Sequence, residues 1–133
     1  SGPAIVNITK KLYDKYNDED ALKKTTKFDK KNLTTKIIFD AEKMGSDLSK
    51  KIVQDTIKHI STGIINLLNI FDPEVIILGG GVINSLSSYW EELQSKSNKG
   101  ALPGHRKTPI EITSLGEDVC LLGASVLVTK KIT

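Results

Sequence analysis

The sequence predicts a helix-rich α/β fold with two parallel strands and an incomplete sheet. Three observations carry this. The run Val75-Ile76-Ile77-Leu78 is apolar and rich in β-branching, so it reads as a strand buried on both faces, and it empties directly into Gly79-Gly80-Gly81. Ile110-Glu111-Ile112-Thr113 alternates as a short second strand does, with a helical segment in between, which makes one right-handed crossover unit. Elsewhere apolar residues recur mainly at helical spacing. Two strands do not make a complete sheet. Several long helices are left with too little sheet to cover, so the segment is expected to complete a larger sheet whose other strands it does not contain.

The elements follow in order. Pro3 suits the first turn of a helix, and Ile5, Ile8, Leu12 and Tyr16 then recur at spacings of three and four as one buried stripe. Residues 17–32 are polar and lysine-rich with little periodicity, and read as a flexible loop with room for one frayed helical turn. Thr34 or Thr35 can cap a short helix through Ile37, Ile38, Ala41 and Met44, which Gly45 can end. Ser46 or Asp47 caps the next helix. Its apolar positions Leu48, Ile52, Ile57, Ile60, Ile64, Leu67, Leu68 and Phe71 make it the longest element and the packing axis, and Asp72-Pro73 stops it. Gly63, in its middle, costs about 1 kcal/mol against alanine, which suggests the close approach of another backbone or a ligand. A helix from about Asn84 or Ser85 to Leu93 follows the glycines, and Ser95 to Lys107 reads as a loop containing Gly100, Pro103 and Gly104. Ser114-Leu115-Gly116-Glu117-Asp118 is a second strand-to-helix turn, and Val119 to about Lys130 a last helix with a small-residue face at Gly123-Ala124-Ser125.

Composition narrows the function. A chain of 133 residues fits one domain, able to bury about two-thirds of its unfolded surface. The net charge is only +3, and the lysines between Lys10 and Lys36 are interleaved with acids, as on a solvated face. Aromatic residues are too few for a base-stacking platform. Cys120 is the single cysteine, so no internal disulfide can form, which suits a cytoplasmic protein. No stretch is long and apolar enough to span a bilayer. The chain begins at Ser1 and its one methionine is Met44, so the segment is expected to be processed, tagged or part of a longer protein.

The glycines carry the chemistry. No side chain there can keep a ligand off the backbone, and amides in such turns point outward. Ligands of open α/β sheets bind just beyond the carboxyl ends of strands. The turn therefore reads as part of a nucleotide or phosphate pocket, against the plainer reading of a tight strand-to-helix connection. His59 and His105 are too scattered, with one cysteine, to suggest a metal site. Glu117 and Asp118 suit helix capping better than acid–base work. The His105-Arg106-Lys107 stretch reads as a solvated loop rather than a phosphate contact.

The stretch from Thr62 to Val82 resembles the carboxy-terminal half of the ROK family, which holds bacterial glucokinases, related sugar kinases and sugar-responsive repressors. Leu115-Gly116-Glu117-Asp118 followed by Leu121-Leu122-Gly123-Ala124 resembles that family's closing turn and helix. Ser1-Gly2-Pro3-Ala4-Ile5 is similar to the opening of the helix after its zinc site. Order and spacing agree, and the resemblance covers nearly the whole of residues 1–133. It implies the actin-like ATPase fold of two ribonuclease-H-like lobes, with this chain supplying the later part of the second lobe. It implies an ATP-dependent, glucokinase-like parent using ATP with Mg, in which Gly79, Gly80 and Gly81, flanked by Val82 and Asn84, hold the adenosine. The last helix, Val119 to Lys130, would pack back on the first lobe.

The resemblance also marks what is missing. The Asp-Gly-Gly-Thr phosphate pattern, the general-base aspartate, the cysteine-rich zinc motif and the Glu-x-x-Gly-His sugar pattern do not occur in this sequence. Phosphoryl transfer needs positioned phosphates, metal and an oriented nucleophile, so the segment alone is expected to be inactive and to need the missing amino-terminal part. Catalytic and metal-ligating residues are expected to be absent from it. The implied partners are a sugar substrate and a second copy in a homodimer, with no membrane, and nucleic acid only if the parent is a repressor. Two other readings stand beside the kinase: the sugar-sensing lobe of a ROK-type repressor, and a dimerisation module.

Overall fold

The computed structural model describes residues 1–113. Helices α1 (Gly2–Tyr13), α2 (Ala21–Thr25), α3 (Thr35–Lys43) and α4 (Asp47–Phe71) precede strand β1 (Ile76–Leu78). Helices α5 (Gly81–Ser85) and α6 (Trp90–Gly100) and strand β2 (Ile110–Ile112) follow. β1 and β2 are parallel, with Ile76 opposite Ile110, Ile77 opposite Glu111 and Leu78 opposite Ile112. The closing turn at 114–118, Cys120 and the helix expected at 119–130 lie outside the described residues.

The long helix α4 is the packing axis, in contact with α6, α3 and α1. Leu48, Ile52, Val53, Ile57, Ile64 and Leu68 of α4 join Ile76 and Ile110 of the strands, Ile38 of α3 and Leu93 of α6 in one core. Ser46 caps α4, its hydroxyl accepting from Ser49 N at 2.9 Å. At the far end Asp72 takes a left-handed conformation (φ 44°) as its N–H reaches Leu68 O, and Pro73 prevents continuation. Thr34 caps α3. Gly45, at φ 90°, closes α3 with the paired bonds Gly45 N to Glu42 O and Ser46 N to Ala41 O.

Several expectations need correction. Residues 17–32 are not an irregular loop. They hold α2 and a 3-10 turn at Lys30–Asn32, with Leu22 and Thr26 wholly buried. Asp20 is the reason, because it caps α2 through Leu22 N (2.9 Å) and also accepts from Ser46 Oγ (2.6 Å) and Leu48 N (3.3 Å) at the start of α4. In α1 the buried stripe is Ile5, Thr9 and Tyr13, and Ile8 is half exposed. Thr9 tolerates burial by donating to Ile5 O, and Tyr13 Oη meets Thr26 Oγ1 at 2.5 Å. Met44, Leu67 and Phe71 are exposed, and Phe39 takes a core place instead. Among the described residues β1 is covered on one face only: Ile76 is buried, while Ile77 is 61% exposed. The helix after the glycines starts at Gly81 rather than Asn84 or Ser85, breaks into a 3-10 turn at Ser87–Tyr89, and resumes as α6 to Gly100, into the stretch expected to be loop. Ser97, buried in that stretch, donates to Leu93 O at 2.7 Å. At Gly63 no atom of the described residues beyond its own helix lies within 4 Å of where a Cβ would stand, so none of them makes the close approach expected there.

Candidate nucleotide-binding site

β1 delivers the chain to Gly79 and Gly80, and α5 begins at once with Gly81. Gly80 sits at φ 106°, ψ 167°, a conformation open in practice only to glycine. No atom of the described residues comes within 4 Å of its missing Cβ, so the backbone faces open space there. The glycine serves the sharp turn and leaves a bare surface beside it.

That surface forms one wall of a cleft of about 670 Å³. Gly79, Gly80, Gly81, Val82, Ile83 and Ser85 line this wall. Ser1 and Gly2 at the start of α1 and Thr35 and Lys36 at the start of α3 line the other, and Ile60 of α4 contributes between them. The size suits a small organic ligand of nucleotide dimensions. Of the residues singled out from the sequence, the three glycines and Val82 meet here. Asn84 does not; it faces a neighbouring depression with Lys36, Phe39, Asp40 and Lys43.

The second wall was not legible beforehand. Its signal is Gly2: a Cβ there would stand 3.0 Å from Thr35 Oγ1, which itself donates to Gly2 O at 3.2 Å. The starts of α1 and α3 are thus pressed together at the cleft. A second tie fixes α3 against the segment following α5. Tyr89 Oη donates to Glu42, and the tyrosine hydroxyl is pushed up to about 12 by burial first and then by the Glu42 hydrogen bond and charge. Gln94 of α6 reaches Ile110 O at 3.0 Å, holding the connection against β2.

Among the described residues that line the cleft, Lys36 carries the charged side chain, none is a carboxylate, and the remaining polar groups are hydroxyls and backbone. His105 lies elsewhere, with Nδ1 2.7 Å from Asp72 Oδ1, and Arg106 Nε donates to Ala101 O. Among the described residues no three His, Cys, Asp or Glu side chains gather as a metal site. The residues present therefore fit a nucleotide's organic body, and nothing among them would hold a metal ion. Among the described residues no helix is long and apolar enough to cross a membrane.

Solved structures place this arrangement in a fold class. The chain aligns over 96% of its length, and 42% of the other chain, with a ROK family glucokinase from Streptomyces griseus in complex with glucose and AMPPNP, at TM-score 0.76 and 21% identity. A putative sugar kinase from Cytophaga hutchinsonii aligns with TM-score 0.73 at 22% identity, over 96% of this chain and 42% of that one. The fold is accordingly part of a ribonuclease-H-like lobe of the actin-like ATPase fold of sugar kinases. Residues 9–131 match the ROK family model, and the chain belongs to the ROK family. A glucokinase of Thermotoga maritima is 26% identical over 133 residues, 99% of this chain and 41% of the relative. A beta-glucoside kinase of Klebsiella pneumoniae is 35% identical over 52 residues, 39% of this chain and 18% of the relative. The chain thus spans well under half the length of these relatives.

Proposed function

We propose that this chain is the carboxy-terminal part of an ATP-dependent, glucokinase-like sugar kinase, and that it supplies the adenosine side of the ATP cleft. The observation that carries the reading is the bare glycine turn at 79–81 opening onto a cleft of nucleotide size. The kinases among its relatives support it. In this reading the fixed backbone of Gly79–Gly81 lets the flat base and ribose lie close, with no side chain in the way. Val82 and Ile83 give apolar contact at the start of α5, and Ile60 contributes from α4 between the walls. ATP itself supplies the phosphoryl group. The present residues bind and orient, and they exclude water from one side of the ligand. The sugar and the group that takes its proton belong to the rest of the polypeptide, so the chain alone is inactive.

The test is ATP-dependent phosphorylation of a panel of hexoses and glucosides by the longer polypeptide that contains this segment. Turnover of at least one sugar supports the reading. A folded protein that turns over none of them overturns it.

A further inference from the structure

Lys36 stands at the rim shared by the cleft and the neighbouring depression, and it is the charged side chain among the described residues of the cleft lining. It is exposed, and its Nζ lies 2.5 Å from Asp40 Oδ2, one helical turn further along α3. That contact keeps the Asp40 carboxyl below the usual carboxylate range. A cleft whose described lining holds a lysine, several hydroxyls and no acid favours an anionic ligand over a neutral one. The lysine has a long flexible stem and a compact charge, so it can leave Asp40 and reach a phosphate without moving the helix. Its helix is fixed at both ends of the cleft wall, by Thr35 on Gly2 and by Glu42 on Tyr89.

We propose that Lys36 is a specificity-determining residue of the nucleotide site, contacting the phosphate chain of the bound nucleotide, and that Asp40 holds it in reserve when the cleft is empty. This rests on the nucleotide reading above and adds a residue and a preference to it: phosphorylated nucleosides over the bare nucleoside. Two opposite effects follow. Removing the lysine weakens ATP and ADP binding, and removing its competitor strengthens it.

The test is calorimetric titration of the full chain with ATP, ADP and adenosine, for the unaltered protein, Lys36→Met and Asp40→Asn, each first checked for cooperative melting. Lys36→Met should weaken ATP and ADP by about fivefold, the scale of an exposed ion pair, and leave adenosine unchanged. Asp40→Asn should tighten ATP by a smaller factor, and both differences should shrink in high salt. Equal weakening of ATP and adenosine in Lys36→Met overturns the proposal, as does no weakening or a loss of affinity in Asp40→Asn. If the folded, unaltered chain binds none of the three ligands, the nucleotide reading itself fails. Binding with no variant effect leaves that reading standing and removes only the role of Lys36.

Discussion

Replacing Asp20 by alanine should destabilise the protein far more than its place in a polar stretch suggests. Its carboxylate caps α2 through Leu22 N and spans to the start of α4 through Ser46 Oγ and Leu48 N. Loss of a helix cap costs about 1 kcal/mol. Ser46 is 1% exposed, so its hydroxyl would lose a charged acceptor in a site closed to water, at about 1.5–2 kcal/mol more. The sum is about 3 kcal/mol, a large part of the stability of an ordinary domain, and corresponds to a fall in Tm of about 10 °C for a chain of this size. Asp20→Asn keeps one acceptor and should lose about half as much. The assay is urea unfolding followed by circular dichroism, with Ser46→Ala and the double variant completing a cycle. The two substitutions share a bond, so their costs should not add. A cost below about 0.5 kcal/mol for Asp20→Ala, or strictly additive costs, would refute the claim that Asp20 ties 17–32 to α4.

Three further outcomes are expected. Gly63→Ala should raise stability by about 1 kcal/mol in the same assay, since helix propensity improves and no described atom stands in the way of the new methyl. Gly80→Ala should lower stability by about 1–3 kcal/mol despite equally open space, because φ 106° is strained for any side chain, and it should also weaken ATP binding in calorimetry. Tyr89, pushed up to about 12, stays neutral in the fold at pH values where an unfolded tyrosine ionises. Its contribution to stability is therefore complete below about pH 10 and is lost as pH rises toward 12. Tyr89→Phe should remove that part of the alkaline loss, and absorbance titration should show the late ionisation of Tyr89 as a difference between the unaltered protein and the variant.

What could be read in the sequence was what local chemistry decides. The caps, read as Thr34 or Thr35 and Ser46 or Asp47 and found at the first of each pair, the glycine closing α3, the stop at Asp72-Pro73 and the alternation in β2 each depend on a few neighbouring residues. The order in 17–32 depends on Asp20 reaching residues 26 and 28 positions further on, which no local pattern records. The end of α2 was hidden for another reason. Lys27 and Phe28 take left-handed conformations, with Phe28 N bonded to Lys23 O, where no glycine signals a stop. Buried Thr9 and Ser97 disguised two helix faces, because each satisfies its hydroxyl on its own helix and so behaves as a small apolar residue. At the candidate site the glycine wall was legible because glycines in a row after a strand have few uses. The wall of Gly2, Thr35 and Lys36 was not, because it exists only where two helix starts are brought together by packing on α4.

The nucleotide seat at the glycine turn is tested most directly by titrating ¹⁵N-labelled chain with ATP and following the backbone amides. The expected result is saturable shifts that concentrate at Gly79, Gly80, Gly81 and Val82 and across the cleft at Thr35 and Lys36. Saturable shifts confined to other parts of the molecule, or none at millimolar ATP in a folded sample, would contradict it.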